Sequence, residues 1–138
     1  MTALDRQLLA ERAATLETHL ERIATHLPAR PEDLAPGDAS DVVILHLWQA
    51  VQLVIDLALS ACSDLRLGTP ASYADAFMRL ASAGKVDAEL ARRLARAAGL
   101  RNLMVHAYDS IDLARLHGAA TNGPRDLRAF LAVLRDLT

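Results

Sequence analysis

Four side chains able to do chemistry fall within one octapeptide, Arg101-Asn102-Leu103-Met104-Val105-His106-Ala107-Tyr108. They are a guanidinium, an amide, an imidazole and a phenol. Histidine titrates near neutrality, so His106 can take the proton from a ribose 2′-hydroxyl or return one to a leaving oxygen. The planar fork of Arg101 can hold two non-bridging phosphate oxygens and stabilise the charge that builds on them. Asn102 can orient either the imidazole or the phosphate. No carboxylate cluster accompanies them, so the chemistry expected is phosphodiester cleavage without a metal or cofactor. RNA carries its own nucleophile and suits that chemistry better than DNA. An arginine and a histidine at this spacing also serve as ordinary helix-end hydrogen-bonding groups, and the residues alone leave both readings open.

A regular helix through this stretch would separate the groups. With Arg101 at zero and about 100° per residue, Tyr108 falls near about −20°, Asn102 near about 100° and His106 near about 140°. Leu100, Leu103, Met104 and Ala107 occupy the opposite, apolar side, while Val105 interrupts the polar arc and could seat against a partner. Arg101 and His106 therefore diverge on one helix. A two-fold axis beside the helix would set two polar arcs across a shared groove, which favours a homodimer.

The elements that must position these residues are helical. Alanine and leucine dominate a chain of 138 residues, 52% hydrophobic and 23% charged, with few aromatic or β-branched side chains. The length suits one domain over residues 1–138. A first amphipathic helix is expected from about Leu4 to Leu27, with Leu9, Leu16, Leu20, Ile23 and Leu27 on one stripe and His19 and His26 at its edge. Three prolines and Gly37 make residues 28–38 a loop. A second helix follows from Ser40 or Asp41, with Ser40 as its cap, to Ser63. It is apolar over about two-thirds of its circumference, leaving a narrow stripe of His46, Gln49, Gln52, Asp56, Ser60 and Ser63. So broad an apolar arc needs cover on two sides, and a second subunit is the expected second cover. His46 and Asp56 read as satisfied or solvated side chains before they read as site residues.

Ser72, with Asp75 three residues on, caps a short helix ending at Gly84, and Tyr73, Phe77 and Leu80 line its inner face. Asp87 caps the next helix. Its Arg92, Arg93 and Arg96 read as a solvated face before a phosphate-contacting surface. Gly99 permits a kink or restart before the motif. Asn122-Gly123-Pro124 is expected to end a short helix begun at Asp112, with Pro124 opening a last helix to about Leu137. The count is five to six helices, an all-α antiparallel bundle.

The formal net charge is −2, so no global positive field draws nucleic acid. Cys62 stands alone and excludes an intrachain disulfide. The N-terminus lacks a signal-peptide pattern. The apolar run Val42–Ile55 is shorter than the about 20 residues that a membrane helix needs. A cytoplasmic protein without a membrane partner is the expectation.

The motif also resembles a known family. Arg101-Asn102, three residues, then His106-Ala107-Tyr108 is similar to the Arg–polar–spacer–His motif of HEPN-domain proteins, and the added Tyr108 resembles the HepT branch. Pro70 to Phe77, Leu80 to Gly84 and Ala98 to Asn102 are similar to that family's approach to the motif, and Ile111-Asp112 and Asp126-Leu127 match its tail loosely. The resemblance implies an all-helical dimer acting as a metal-independent ribonuclease, the toxin of a toxin–antitoxin system. It implies catalysis by Arg101 and His106 with Asn102 in support. It further implies that an MntA-like nucleotidyltransferase antitoxin transfers AMP to Tyr108. The other function that fits is a non-catalytic helical module that binds and positions such a nucleotidyltransferase.

Overall fold

Four of the five described α-helices start on a side chain that accepts from one of the first free N–H donors. A computed structural model describes residues 5–106 and 110–138; nothing of the His106 side chain is included. Helix α1 (Arg6–His26) is capped by Asp5, whose carboxylate accepts from the Leu8 N–H at 2.8 Å. In α2 (Asp38–Asp64) the sequence placed Ser40 at the cap. It sits one turn in instead, accepting from the Gly37 N–H at 3.0 Å and donating to the Gly37 carbonyl at 2.9 Å. Ser72 caps α3 (Tyr73–Ser82) through the Asp75 N–H at 3.0 Å, and Asp75 accepts from the Ala71 N–H at 2.8 Å. Asp87 accepts from the N–H of Leu90 at the start of α4 (Ala88–His106), and Asp112 accepts from Ala114 and Arg115 at the start of α5 (Leu113–Asp136). Among the described residues there are five α-helices, one 3-10 turn at Pro31–Asp33, and no strand.

Helix ends follow the same logic. Leu67 N–H reaches back to the Cys62 carbonyl at 2.9 Å and Lys85 N–H to the Leu80 carbonyl at 2.9 Å, the backbone closure that needs a left-handed residue in between. Gly84 fills that place at φ 72°, but after α2 it is Arg66 at φ 56°, a residue with a Cβ to accommodate.

α2 is the axis of the bundle and packs against all four other helices. Its 27 residues include a window of mean hydropathy 1.9, so by length and composition it could cross a membrane, contrary to the shorter run read from the sequence. Half of that window is buried inside the bundle, as expected of a core helix. Val43, Leu47, Ala50, Val54, Ile55, Ala58 and Ala61 are almost wholly enclosed. Most of the broad apolar arc is thus covered within the chain, and the arc itself no longer calls for a second subunit. Phe77 of α3 and Phe130 of α5 meet edge to face at 5.4 Å between centroids, closing the core between them.

Two expected breaks do not occur. α4 passes straight through Gly99 as one helix of 19 residues. α5 runs unbroken for 24 residues through Gly118, Asn122, Gly123 and Pro124, where the sequence suggested a short helix and a restart. The reason is burial on both sides of the proline. Leu116 and Ala120 before it, and Leu127, Phe130, Leu131 and Leu134 after it, are all in the core. A fully buried Leu or Phe contributes about 1.5–3 kcal/mol, so that stripe outweighs the about 3 kcal/mol cost of a helical proline. Helix α5 also anchors the α1–α2 connection. The buried His117 ring donates to the Pro28 carbonyl at 2.7 Å, a tie the sequence reading did not foresee.

Candidate active site

The motif occupies the C-terminal end of α4. Leu100 and Met104 are buried and fix the helix against the bundle. That packing turns Arg101 to the α3 side, half-buried, and leaves Asn102 exposed. The Arg101 guanidinium lies over the Tyr73 ring, with its carbon 5.4 Å from the centroid. Such a cation–π contact is worth about 0.5–2 kcal/mol depending on solvation. Arg101 also donates through Nη1 to the Asn102 side-chain oxygen at 3.0 Å. Its Nε donor is buried and has no hydrogen-bond acceptor among the described residues.

The sequence assigns Asn102 to orienting the imidazole or the phosphate, and among the described residues its side-chain oxygen accepts from Arg101. Tyr73 was read only as an inner-face residue of α3, yet it is the platform under Arg101. Its sequence signal was weak, because an aromatic on an inner helix face ordinarily reads as core. α3 itself is held in place by Arg79, which donates to Asp75 at 2.8 Å and to the Leu67 carbonyl at 2.9 Å. The Ala71 N–H and Arg79 together hold the Asp75 carboxyl below its usual range, keeping it charged for both.

His106 is the last residue of α4, but its side chain, like the whole of Tyr108, lies outside the described residues. What is described beside it is an apolar surface. Val105 is 40% exposed and Leu45 of α2 is 43% exposed. With Ile44, Trp48, Met104 and Asp41 they line a depression of about 420 Å³ next to the motif.

The other histidines and acids of the α2 stripe do not join the motif. His46 pairs with His19 of α1, with 2.9 Å between the two Nδ1 atoms, one ring donating and the other accepting. His26 instead meets the Arg22 carbonyl at 2.9 Å. Asp56 accepts from Gln52 at 2.8 Å. The basic patch also divides. Arg92 pairs with Glu89 on the surface, whereas Arg93 reaches across to Asp126 of α5 at 3.1 Å from both carboxylate oxygens. Among the described residues no group of three or more His, Cys, Asp or Glu side chains is placed to hold a metal ion.

Similarity to known proteins covers nearly the whole chain. The sequence profile of the family described as Ribonuclease HepT-like matches residues 16–134. The chain is 26% identical over 128 residues to the mRNA nuclease HepT of Shewanella oneidensis, covering 93% of this chain and 96% of that protein. It is 26% identical over 113 residues to the tRNA nuclease HepT of Aphanizomenon flos-aquae, covering 81% of this chain and 77% of that one. Its fold superposes with a TM-score of 0.82 on a tri-AMPylated Shewanella oneidensis HEPN toxin in complex with MNT antitoxin, at 26% identity over 93% of this chain and 96% of the toxin. The bundle built around α2 has the fold of that toxin, and the chain belongs to the HepT-like ribonuclease family.

Proposed function

We propose that this chain is the toxin of a toxin–antitoxin pair, an endoribonuclease that cuts RNA without a metal ion at a site shared by two copies. The observation that carries this reading is the state of Arg101. Its guanidinium is held over Tyr73 and steadied by Asn102, and its buried Nε has no acceptor among the described residues. A pre-positioned fork of this kind suits a phosphate oxygen. His106, five residues on, takes the 2′-hydroxyl proton; the 2′-oxygen attacks phosphorus, and the 5′-oxygen leaves with a proton returned to it. The product is a 2′,3′-cyclic phosphate. Arg101 carries the extra negative charge of the pentacoordinate state.

On one helix Arg101 and His106 diverge, so the site needs a second motif. The exposed Val105 and Leu45 beside it supply an apolar contact for a second copy. Tyr108 is the residue we assign to AMP transfer by a nucleotidyltransferase antitoxin, because a helical spacing counted from Arg101 in the sequence would put it on the Arg101 side. A bulky anionic nucleotide there would occupy the groove and repel the RNA phosphate. Relatives named as RNA nucleases and an AMPylated toxin bound to its antitoxin support both halves of the proposal.

The test is RNA cleavage by purified protein in EDTA, with the new ends analysed. Cleavage leaving cyclic phosphates and lost in His106→Ala supports the proposal. Undiminished cleavage by His106→Ala, or no cleavage by the unmodified protein, rejects it in favour of a binding module.

A further inference from the structure

A second cleft opens on the other flank of α4, between α4, α5 and α2, with a volume of about 300 Å³. Its floor is apolar, built from Leu47 and Val51 of α2 with Leu94 and Leu127. Its rim is cationic. Arg96 of α4 and Arg115 of α5 stand at the mouth, exposed, and among the described residues neither carries an ion pair. Asn122 lines the same mouth, and its amide makes no side-chain hydrogen bond among the described residues. The one carboxylate present, Asp126, is neutralised by Arg93 at 3.1 Å and approached by Arg125 at 4.0 Å. That pairing tethers the Arg93 guanidinium through its Nε among the residues that line the cleft.

The cleft exists because α5 leaves it open. Gly118 and Gly123 both line it, and a Cβ built at either meets nothing within 4 Å. Neither has a positive φ. Alanine would therefore fit at both and would favour the helix, since glycine in a helix interior is destabilising. Close packing of the helices does not require these glycines.

We propose that this cleft is a nucleotide-binding subsite that takes one nucleotide of an RNA strand, its base on the Leu47–Val51–Leu127 floor and its phosphate on Arg96 and Arg115. The inference rests on the ribonuclease reading for the identity of the strand. The chemistry matches part by part. A base needs an apolar slot and a plane to stack on, which a tethered guanidinium supplies, and an amide to meet its edge. The phosphate needs unpaired cations at the slot's mouth. A volume of about 300 Å³ is at the small end for ligand sites and suits one nucleotide rather than a larger body. Its α4 lining runs from Arg93 to Leu100, the residue before Arg101, so the slot and the motif are contiguous along α4 and one strand could reach both. The subsite would set where along the RNA the motif cuts. It also gives a chain of net charge −2 a local attraction for its substrate.

The test uses the full chain carrying His106→Ala, so that binding is read without cleavage, and a fluorescein-labelled single-stranded RNA. Gly118→Leu fills the slot from α5, Gly118→Ala leaves it open, and Arg96→Ala with Arg115→Ala removes the phosphate contacts. Circular dichroism and thermal melting establish that each variant is folded. The expected result is about a ten-fold loss of RNA affinity in Gly118→Leu and in the double arginine variant, with Gly118→Ala unchanged. With His106 restored, those variants should raise KM while kcat holds. Wild-type affinity and KM in a folded Gly118→Leu protein overturn the subsite and leave the ribonuclease reading intact. Slot-dependent binding in a chain whose His106 form cuts no RNA supports the subsite and rejects that reading. Free AMP and UMP are titrated in parallel; slot-dependent binding of a free mononucleotide with RNA binding unaffected overturns the assignment to an RNA strand.

Discussion

Pro124→Ala should stabilise the protein, and the size of the gain follows from where the proline sits. It lies inside α5, twelve residues from the Asp136 end, where its ring meets the backbone of the preceding turn and its missing N–H leaves the Ala120 carbonyl without a helical donor. A proline in a helix interior is about 3 kcal/mol less favourable than alanine. Two losses offset this. Alanine gives the unfolded chain more freedom, worth about 0.4–1 kcal/mol. The half-buried ring sits in the groove with Leu20, Ile23 and His117, and two half-buried methylenes contribute about 0.8 kcal/mol. The net gain is about 1–2 kcal/mol. Over 138 residues, an unfolding entropy of about 2.1 cal/mol/K per residue gives about 0.29 kcal/mol/K, so Tm should rise by about 3–7 °C. Thermal melting by circular dichroism measures it, with urea unfolding as a second reading. A Tm that falls or does not move would place Pro124 at the start of a separate helix, where it fits without cost, and would refute a continuous α5.

Arg66→Gly, at φ 56° after α2, should raise stability by about 1 kcal/mol in urea unfolding, because glycine takes the left-handed conformation without a Cβ penalty. Asp126→Ala should lower it by about 1–3 kcal/mol, since Asp126 is only 8% exposed and its loss leaves Arg93 without its acceptor; Arg128→Ala, breaking an ion pair with Glu17 that is 53% exposed on both sides, should cost under about 1 kcal/mol. The His19–His46 pair should make stability fall in mild acid. Burial lowers the pKa of both rings, and the positive charges of His19, Arg22 and His26 lower His46 further. The unfolded chain then binds protons more readily, so the pair's contribution is complete above the ordinary value of 6.5 and is lost progressively as pH falls through it toward the lowered folded values. Urea midpoints across that range should drop in the wild type and flatten in a His19→Gln, His46→Gln double variant; an unchanged slope would show that the pair does not titrate as its geometry requires.

The sequence by itself determined whatever is decided within a turn or two of helix. Ser72, Asp87 and Asp112 mark helix starts because a short acceptor meets N–H groups only two or three residues away. The leucine stripes fix which faces turn inward, and the 3.6-residue period alone separates Arg101 from His106 around α4. What the tertiary structure decided is everything that sums over distant neighbours. Pro124 carries every local sign of a helix start, yet α5 continues, because the core stripe on both sides of it outweighs one proline. The wide apolar arc of α2 suggested a second subunit until four helices of the same chain covered most of it. His19 with His46, His117 with Pro28, and Arg101 over Tyr73 join residues 27, 89 and 28 positions apart, and no local pattern encodes such meetings. The chemistry of the motif was legible in its residue types. Which side chains hold Arg101 ready, and the open cleft beside it, came only from how the helices pack.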